Sequence, residues 1–259
     1  MTEATDEPDL LPPLQARLRP PSHWSRNLPI SEAMRWLRQG WSDFLNGPWP
    51  SIAYGLLVFF ISWMIVGGLF LSGADYILFP ALAAFMMTGP ILAIGLYEKS
   101  RRVADGQPVS FRRMLFIKPA AGAQVGFLGV LLCLLALLWM RAAVLIYALF
   151  FGLRPFPGIE NIAAMLFGTP TGWAMLLVGG AVGALFAAFA FAVSVFSIPL
   201  LLHKQIDALT AMGTSVAFAW HNLPVMLAWG AIVLGLFLLS SLTGMLGLII
   251  VFPVLGHAT

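Results

Sequence analysis

The chain has 259 residues, of which 60% are hydrophobic and only 10% are charged, and its formal net charge is +3. Soluble globular domains carry about 25% charged residues, so a chain this poor in charge cannot cover its own surface in water. The composition therefore excludes an ordinary soluble protein and predicts a membrane protein. Its single cysteine, Cys133, lies in an apolar run and excludes an intrachain disulfide.

The N-terminal segment is acidic at first and then rich in proline. It has no basic stretch leading into an apolar one, so it does not resemble a signal peptide. We expect residues 1–28 to form a disordered cytoplasmic tail and residues 29–259 to form an integral membrane domain.

Six apolar runs are long enough to cross a bilayer, which takes about 20 residues in a helix. The fourth run is longer than a span needs and is expected to tilt, to protrude or to kink at Pro199. Residues 142–153 are too few for another span, so they either extend the third span or lie at the outer interface. The last run is still apolar at Thr259, and we expect the native chain to continue beyond it. In chain order the runs are 51–72, 76–97, 120–140, a part of 172–202, about 224–241, and about 244–259.

The second run contains Gly89 and Pro90 near its middle. A proline inside a helix removes a hydrogen-bond donor and bends the helix axis. The pair Gly89–Pro90 therefore predicts a helix kink, with the Thr88 hydroxyl available for the freed carbonyl.

Basic residues collect in the loop that follows the second run. Short loops rich in lysine and arginine stay in the cytoplasm, so the loop is assigned to the inside, and six spans would place both chain ends there. We expect the basic residues to anchor the loop by contacting anionic lipid headgroups at the cytoplasmic face. They form too small a surface to predict nucleic-acid binding. The anchor residues are Lys99, Arg101, Arg102, Arg112 and Arg113.

Three amphipathic segments, 31–46, 110–118 and 205–222, each precede a pair of spans. This order predicts an internal repeat of interfacial helix, span and span. The first and third units also match at Asn46 and Asn222, at Pro48 and Pro224, and less closely at Pro90 and Pro253. The expected apolar stripes are Met34, Leu37, Trp41, Phe44 and Leu45 in the first segment, and Ile206, Leu209, Val216 and Trp220 in the third.

The polar residues best suited to bind a cofactor or to transfer protons are three histidines: His203, His221 and His257. Histidine in a membrane can bind haem or relay protons. Their spacing matches no defined metal site, so an interfacial or packing role is favoured and haem binding is the alternative. No catalytic motif and no metal site is predicted.

The fourth run carries small residues at four-residue spacing, which lets helix backbones approach closely. Packing within the bundle is favoured, and self-association through this run is the alternative. The residues are Gly179, Gly183, Ala184, Ala187 and Ala188.

The stretches "FMMTGPILAIGLYEKSRRVADGQPVSF", "AFAWHNLP" and "RAAVLIYALFFG" resemble an uncharacterised family of bacterial polytopic inner-membrane proteins. It is a domain of unknown function, and some members are labelled as a cytochrome c oxidase subunit. The resemblance covers most of the chain after about residue 30, implies a bacterial inner-membrane location, and supplies no catalytic residues. The three histidines do not reproduce the ligand pattern of an oxidase core subunit.

The sequence thus predicts an all-α polytopic membrane helix bundle of about six spans with interfacial helices. Its function is expected to be non-enzymatic, either as a transporter-like bundle or as an accessory factor of another membrane complex. A haem-binding respiratory subunit is the alternative.

Overall fold

A computed structural model describes residues 26–152 and 156–258, and within these ranges the chain is helical and without strands. The all-α class predicted from the sequence is confirmed. The helices are α1 (Glu32–Leu45), α2 (Pro48–Leu71), α3 (Leu78–Leu92), α4 (Ile94–Ala104), α5 (Phe111–Leu115), α6 (Gly122–Phe151), α7 (Ile159–Phe167), α8 (Pro170–Ser194), α9 (Ser197–His203), α10 (Ala208–His221), α11 (Leu223–Leu242) and α12 (Leu248–His257), with a short 3-10 turn at Asp75–Ile77 before α3.

Five helical stretches among the described residues are long and apolar enough to cross a membrane. Two of them are joined pairs, α3 with α4 and α8 with α9. The third span runs unbroken through α6 to Phe151, so residues 142–151 extend it instead of forming an interfacial helix. The spans are Pro48–Leu71, Asp75–Ala104, Gly122–Phe151, Pro170–His203 and Leu223–Leu242.

The sixth apolar run differs from the expected span. Its helix α12 has ten residues, about 15 Å at 1.5 Å per residue, which is half of a roughly 30 Å hydrocarbon core. The preceding turn delays the helix, since Gly244 and Met245 both have positive φ angles. The end of α12 nevertheless packs on α1, because a Cβ on Gly40 would lie 2.6 Å from the Cβ of Ala258, which also belongs to one cluster with Ala33 and Val225.

Both predicted proline sites lie next to a helix break. In the second span, α3 ends at Leu92, two residues after Pro90, and α4 begins at Ile94. The Thr88 hydroxyl bonds the carbonyls of Ala84 and Phe85 and not that of Met86, the carbonyl that Pro90 leaves without its usual donor. The bend expected at Gly89–Pro90 stays a prediction.

In the fourth span, a side chain of α10 bridges the break between α8 and α9. The Ser215 hydroxyl of α10 accepts from the backbone N–H of Phe196 at 3.1 Å and donates to the carbonyl of Ala192 at 2.6 Å. These two backbone groups would bond each other in a continuous helix. Ser215 is therefore inserted into the helical ladder, one turn before Pro199.

The amphipathic helices α1 and α10 turn their small residues inward. Helix α10 buries Ala208, Ala211, Ser215 and Ala219 against the bundle, whereas Leu209 and Trp220 of its predicted stripe are exposed. Helix α1 likewise buries Ala33 and Gly40 and exposes most of its stripe, including Met34, Trp41 and Leu45. These stripes are thus available to lipid.

The predicted tail, residues 1–28, lies outside the described residues up to residue 25. Arg26 and Leu28, near its end, contact the bundle. The Arg26 backbone N–H donates to Asn222 Oδ1 at 3.0 Å, and Leu28 packs beside Ala33 and Val225.

Candidate functional site

A buried polar cluster lies where the end of α1, the start of α2, the middle of α4 and the end of α12 meet. We define it as Ser51, Lys99, Ser100 and His257. Lys99 and Ser51 are 0% exposed, and His257 is 4% exposed. Fully buried lysines are rare in proteins and need compensating hydrogen bonds, so the surroundings of Lys99 decide what the cluster does.

The Lys99 ammonium is held by oxygen atoms of α1 and α2. Its Nζ donates to the carbonyls of Asp43 and Gly47 at 3.0 Å each, and to Ser51 Oγ at 2.7 Å. A longer contact of 3.4 Å reaches the carbonyl of Phe44. The last carbonyls of a helix lack partners within the helix and carry partial negative charge. Lys99 therefore caps the C-terminal end of α1 from inside the bundle.

The hydrogen bonds continue from Ser51 to the end of α12. Ser51 Oγ is 2.9 Å from His257 Nε2, and His257 Nδ1 is 2.9 Å from Ser100 Oγ and 3.2 Å from the carbonyl of Leu96. An ammonium only donates, so Ser51 accepts from Lys99 and gives its own proton to Nε2. Nδ1 then carries the hydrogen, because the Leu96 carbonyl can only accept. The network assigns a neutral His257 protonated at Nδ1.

Glycines bring the helices of the cluster close enough for these contacts. A Cβ on Gly55 of α2 would lie 2.2 Å from the carbonyl oxygen of Ile249, and one on Gly40 of α1 would lie 2.4 Å from that of Val254. Both carbonyls belong to α12, so α12 packs by its backbone on α1 and α2. Gly47, with φ of 75°, turns the chain between α1 and α2 and presents its carbonyl to Lys99.

The other predicted anchor residues occupy two kinds of position. Arg101 and Arg102 both bind the Glu98 carboxylate, at 2.8 and 2.6 Å. Arg112 and Arg113 are exposed, and their contact with lipid headgroups stays a prediction. Lys99, which the sequence placed in the same anchor, points instead into the bundle, because the free end of α1 attracts its charge.

The three candidate histidines share a position, since each is the last residue of its helix. His203 Nδ1 bonds the carbonyl of Pro199 at 2.6 Å, and His221 Nδ1 bonds that of Ala217 at 2.8 Å. Both partners lie four residues earlier, so these side chains cap the ends of α9 and α10. Only His257 joins the buried cluster. In the part of the chain that the structure describes, no group of three or more histidine, cysteine or acidic side chains could hold a metal ion.

Residues 78–203 match the model of a family described as "Predicted integral membrane protein (DUF2189)". This segment is similar to that family, and we call it the DUF2189 segment. The DUF2189 segment runs from α3 to the end of α9 and contains Lys99 and Ser100, while Ser51 and His257 lie before and after it. No curated protein and no solved structure matches the chain.

Within the DUF2189 segment, the small residues of α8 lie on two sides of the helix, one packed inside the bundle and one exposed. A Cβ on Gly183 would lie 2.9 Å from the Trp139 ring of α6, so this side packs inside the bundle. Gly180 has nothing within 4 Å of its Cβ position, and Ala184 and Ala188 are exposed. The outward side of α8 is therefore a row of small residues at four-residue spacing.

Sequence reasoning missed both serines of the cluster. Ser51 and Ser100 look like ordinary hydroxyls at the ends of spans, and no spacing links them to Lys99 or His257. Their role depends on contacts between residues up to 206 positions apart in the chain. A signal was present only for Lys99 and His257, as charged or titratable residues beside apolar runs.

Proposed function

We propose that the protein is a non-enzymatic accessory factor of another membrane complex. The observation that carries this proposal is that the hydrogen-bonding groups of the buried cluster are engaged within the chain. Lys99 binds carbonyls and Ser51, and His257 uses both ring nitrogens. Groups engaged in this way fix the positions of α1 and α12 and are not offered to a substrate.

The surfaces of the bundle support the same proposal. Small residues at four-residue spacing let another helix approach closely in a membrane, and Gly180, Ala184 and Ala188 present such a row outward from α8. Trp41 and Trp220 are exposed on the two amphipathic helices, where aromatic side chains suit the membrane interface. A rigid bundle with an outward small-residue face suits the binding of a partner helix.

A transporter-like bundle is the second candidate, and the helix breaks favour it. Spans that are interrupted between α3 and α4 and between α8 and α9 are a feature of secondary transporters, which bind substrates and ions beside discontinuous helices. A charged residue in a span, here Lys99, is also a usual mark of a functional site in membrane proteins.

Site-specific photo-crosslinking in cells that make the protein natively tests the two candidates. A photoreactive side chain replaces Ala184 on the outward side of α8, and Leu134 on the exposed side of α6 serves as the matched control. An accessory factor gives one discrete adduct to one membrane protein from position 184 and none from position 134. Absence of an adduct at both positions, together with uptake of a solute into vesicles that hold only this protein, would establish the transporter instead.

The absorption spectrum of the purified protein tests the haem alternative. A Soret absorption band that is lost in His203→Ala or His221→Ala would assign the chain to the respiratory role. The accessory proposal expects a colourless protein, and His257→Ala should lower thermal stability more than the other two substitutions, because His257 is buried and the other two histidines are exposed.

A further inference from the structure

An apolar groove lies between α9 and α10, apart from the buried cluster. Its volume is about 330 Å³, which falls at the small end of the roughly 300–1,000 Å³ range of ligand pockets. Almost all of its surface is apolar. The lining residues are Phe196, Pro199, Leu200, His203, Lys204 and Phe218.

Cationic groups flank the groove. Lys204 lies at its edge and is exposed. The Arg26 guanidinium lies 5.9 Å from the centre of the Phe218 ring, and the Arg26 backbone is tied to Asn222. The carbonyl of Leu202, two residues before Lys204, accepts from the N–H of Ala120, so Lys118 of the basic loop is also at this end of the bundle.

The Asp207 carboxylate, three residues after Lys204, caps the N-terminus of α10. It accepts from the backbone N–H of Thr210 at 2.8 Å as the N-terminal cap of that helix. Hydrogen bonds from Thr210 hold the pKa of Asp207 below its usual value. Asp207 therefore stays ionised with its charge directed at the N-terminus of α10, and Lys204 and Arg26 are the cations that lie beside the groove.

We infer that this groove binds one anionic phospholipid, with an acyl chain along Phe196, Leu200 and Phe218 and the headgroup phosphate at Lys204. The apolar floor fits a hydrocarbon chain, and the exposed Lys204 at its edge fits a phosphate that sits at the membrane surface. Basic pockets between membrane helices bind acidic lipid headgroups for this reason. The inference does not depend on whether the protein is an accessory factor or a transporter.

Native mass spectrometry of the full-length protein, stripped of lipid in detergent and titrated with phosphatidylglycerol or phosphatidylcholine, tests the site. We expect one phosphatidylglycerol to bind preferentially. Lys204→Gln should weaken that binding by roughly five-fold and leave phosphatidylcholine binding unchanged, because one surface cation contributes about that much. Arg113→Gln, which removes an exposed cation elsewhere on the basic loop, is the matched control and should change neither.

Two further measurements keep the test decisive. Leu200→Trp fills the groove and should reduce binding of both lipids, while the size-exclusion profile confirms that the variant is folded. Equal binding of both lipids by the unmodified protein would overturn the inference, and so would equal losses in Lys204→Gln and Arg113→Gln. Displacement of the lipid by inorganic phosphate alone would also overturn it, since the apolar groove would then contribute nothing.

Discussion

Replacement of Lys99 by methionine removes the ammonium of the buried cluster while keeping a side chain of similar length. The change leaves the carbonyls of Asp43, Phe44 and Gly47 and the hydroxyl of Ser51 without their donor. Each buried polar group that loses its partner costs about 1–3 kcal/mol.

The full sum of four such costs overstates the effect. Asn46 and Gly47 are exposed, so water reaches part of the end of α1. In addition, the methionine variant does not have to bury a charged group. Two acceptors that stay unsatisfied cost about 2–6 kcal/mol, and the desolvation penalty that is removed with the ammonium offsets part of this cost, so we expect a loss of stability of about 2–4 kcal/mol. For a chain of this size, 1 kcal/mol moves the melting temperature by roughly 2–4 °C. We therefore expect Lys99→Met to lower Tm by roughly 4–16 °C.

Intrinsic fluorescence of the nine tryptophans in detergent measures this Tm directly. Arg113→Met is the matched control, because Arg113 is an exposed cation whose hydrogen bond to the Pro108 carbonyl lies at the surface. Exposed substitutions of this kind change stability by about 0.5 kcal/mol or less. Equal melting temperatures for the two variants would refute the reasoning and return Lys99 to the headgroup anchor that the sequence suggested.

Three further outcomes are expected. Gly55→Ala should lower stability by about 1–3 kcal/mol in the same melting assay, because its Cβ would collide with the backbone of α12, whereas Gly180→Ala, in open space, should be neutral or slightly stabilising. Ser215→Ala should cost about 1–3 kcal/mol, since it leaves the Phe196 N–H and Ala192 carbonyl unbridged. In intact cells, with Cys133 replaced, a membrane-impermeant maleimide should label a cysteine at position 160 but label one at position 112 only after permeabilisation, as a cytoplasmic basic loop requires.

Each of these expectations has a result that contradicts it. Equal melting temperatures for Gly55→Ala and Gly180→Ala would mean that α12 does not pack by its backbone on α2. Ser215→Thr keeps the hydroxyl and should retain most of the stability, so a loss equal to that of Ser215→Ala would point to side-chain volume and not to the bridge. Labelling of position 112 in intact cells would reverse the proposed orientation.

Much of the fold was predictable from local patterns. Apolar runs predicted the helical class and the first five spans, and Pro90 and Pro199 lie close to the two helix breaks. The short amphipathic segments before the first, third and fifth spans were likewise found as α1, α5 and α10. The sixth run was misjudged in length, because composition alone does not show that the turn at Gly244 and Met245 consumes part of it.

The candidate site was predictable only in fragments. Lys99 and His257 attracted attention separately, as a loop cation and as a haem candidate, while Ser51 and Ser100 gave no signal. The structure joins them because glycine contacts draw α12 onto α1 and α2.

By itself, the sequence determined that this protein lies in a lipid membrane and that its secondary structure is helical. A lipid environment requires backbone groups to be satisfied within helices, so hydrophobicity and spacing suffice to locate them. Only the tertiary structure decided that Lys99 is buried, that its partners are the last carbonyls of α1, and that His257 completes the cluster. Those facts depend on contacts between distant parts of the chain, and local residue patterns do not predict which helix ends will contact each other.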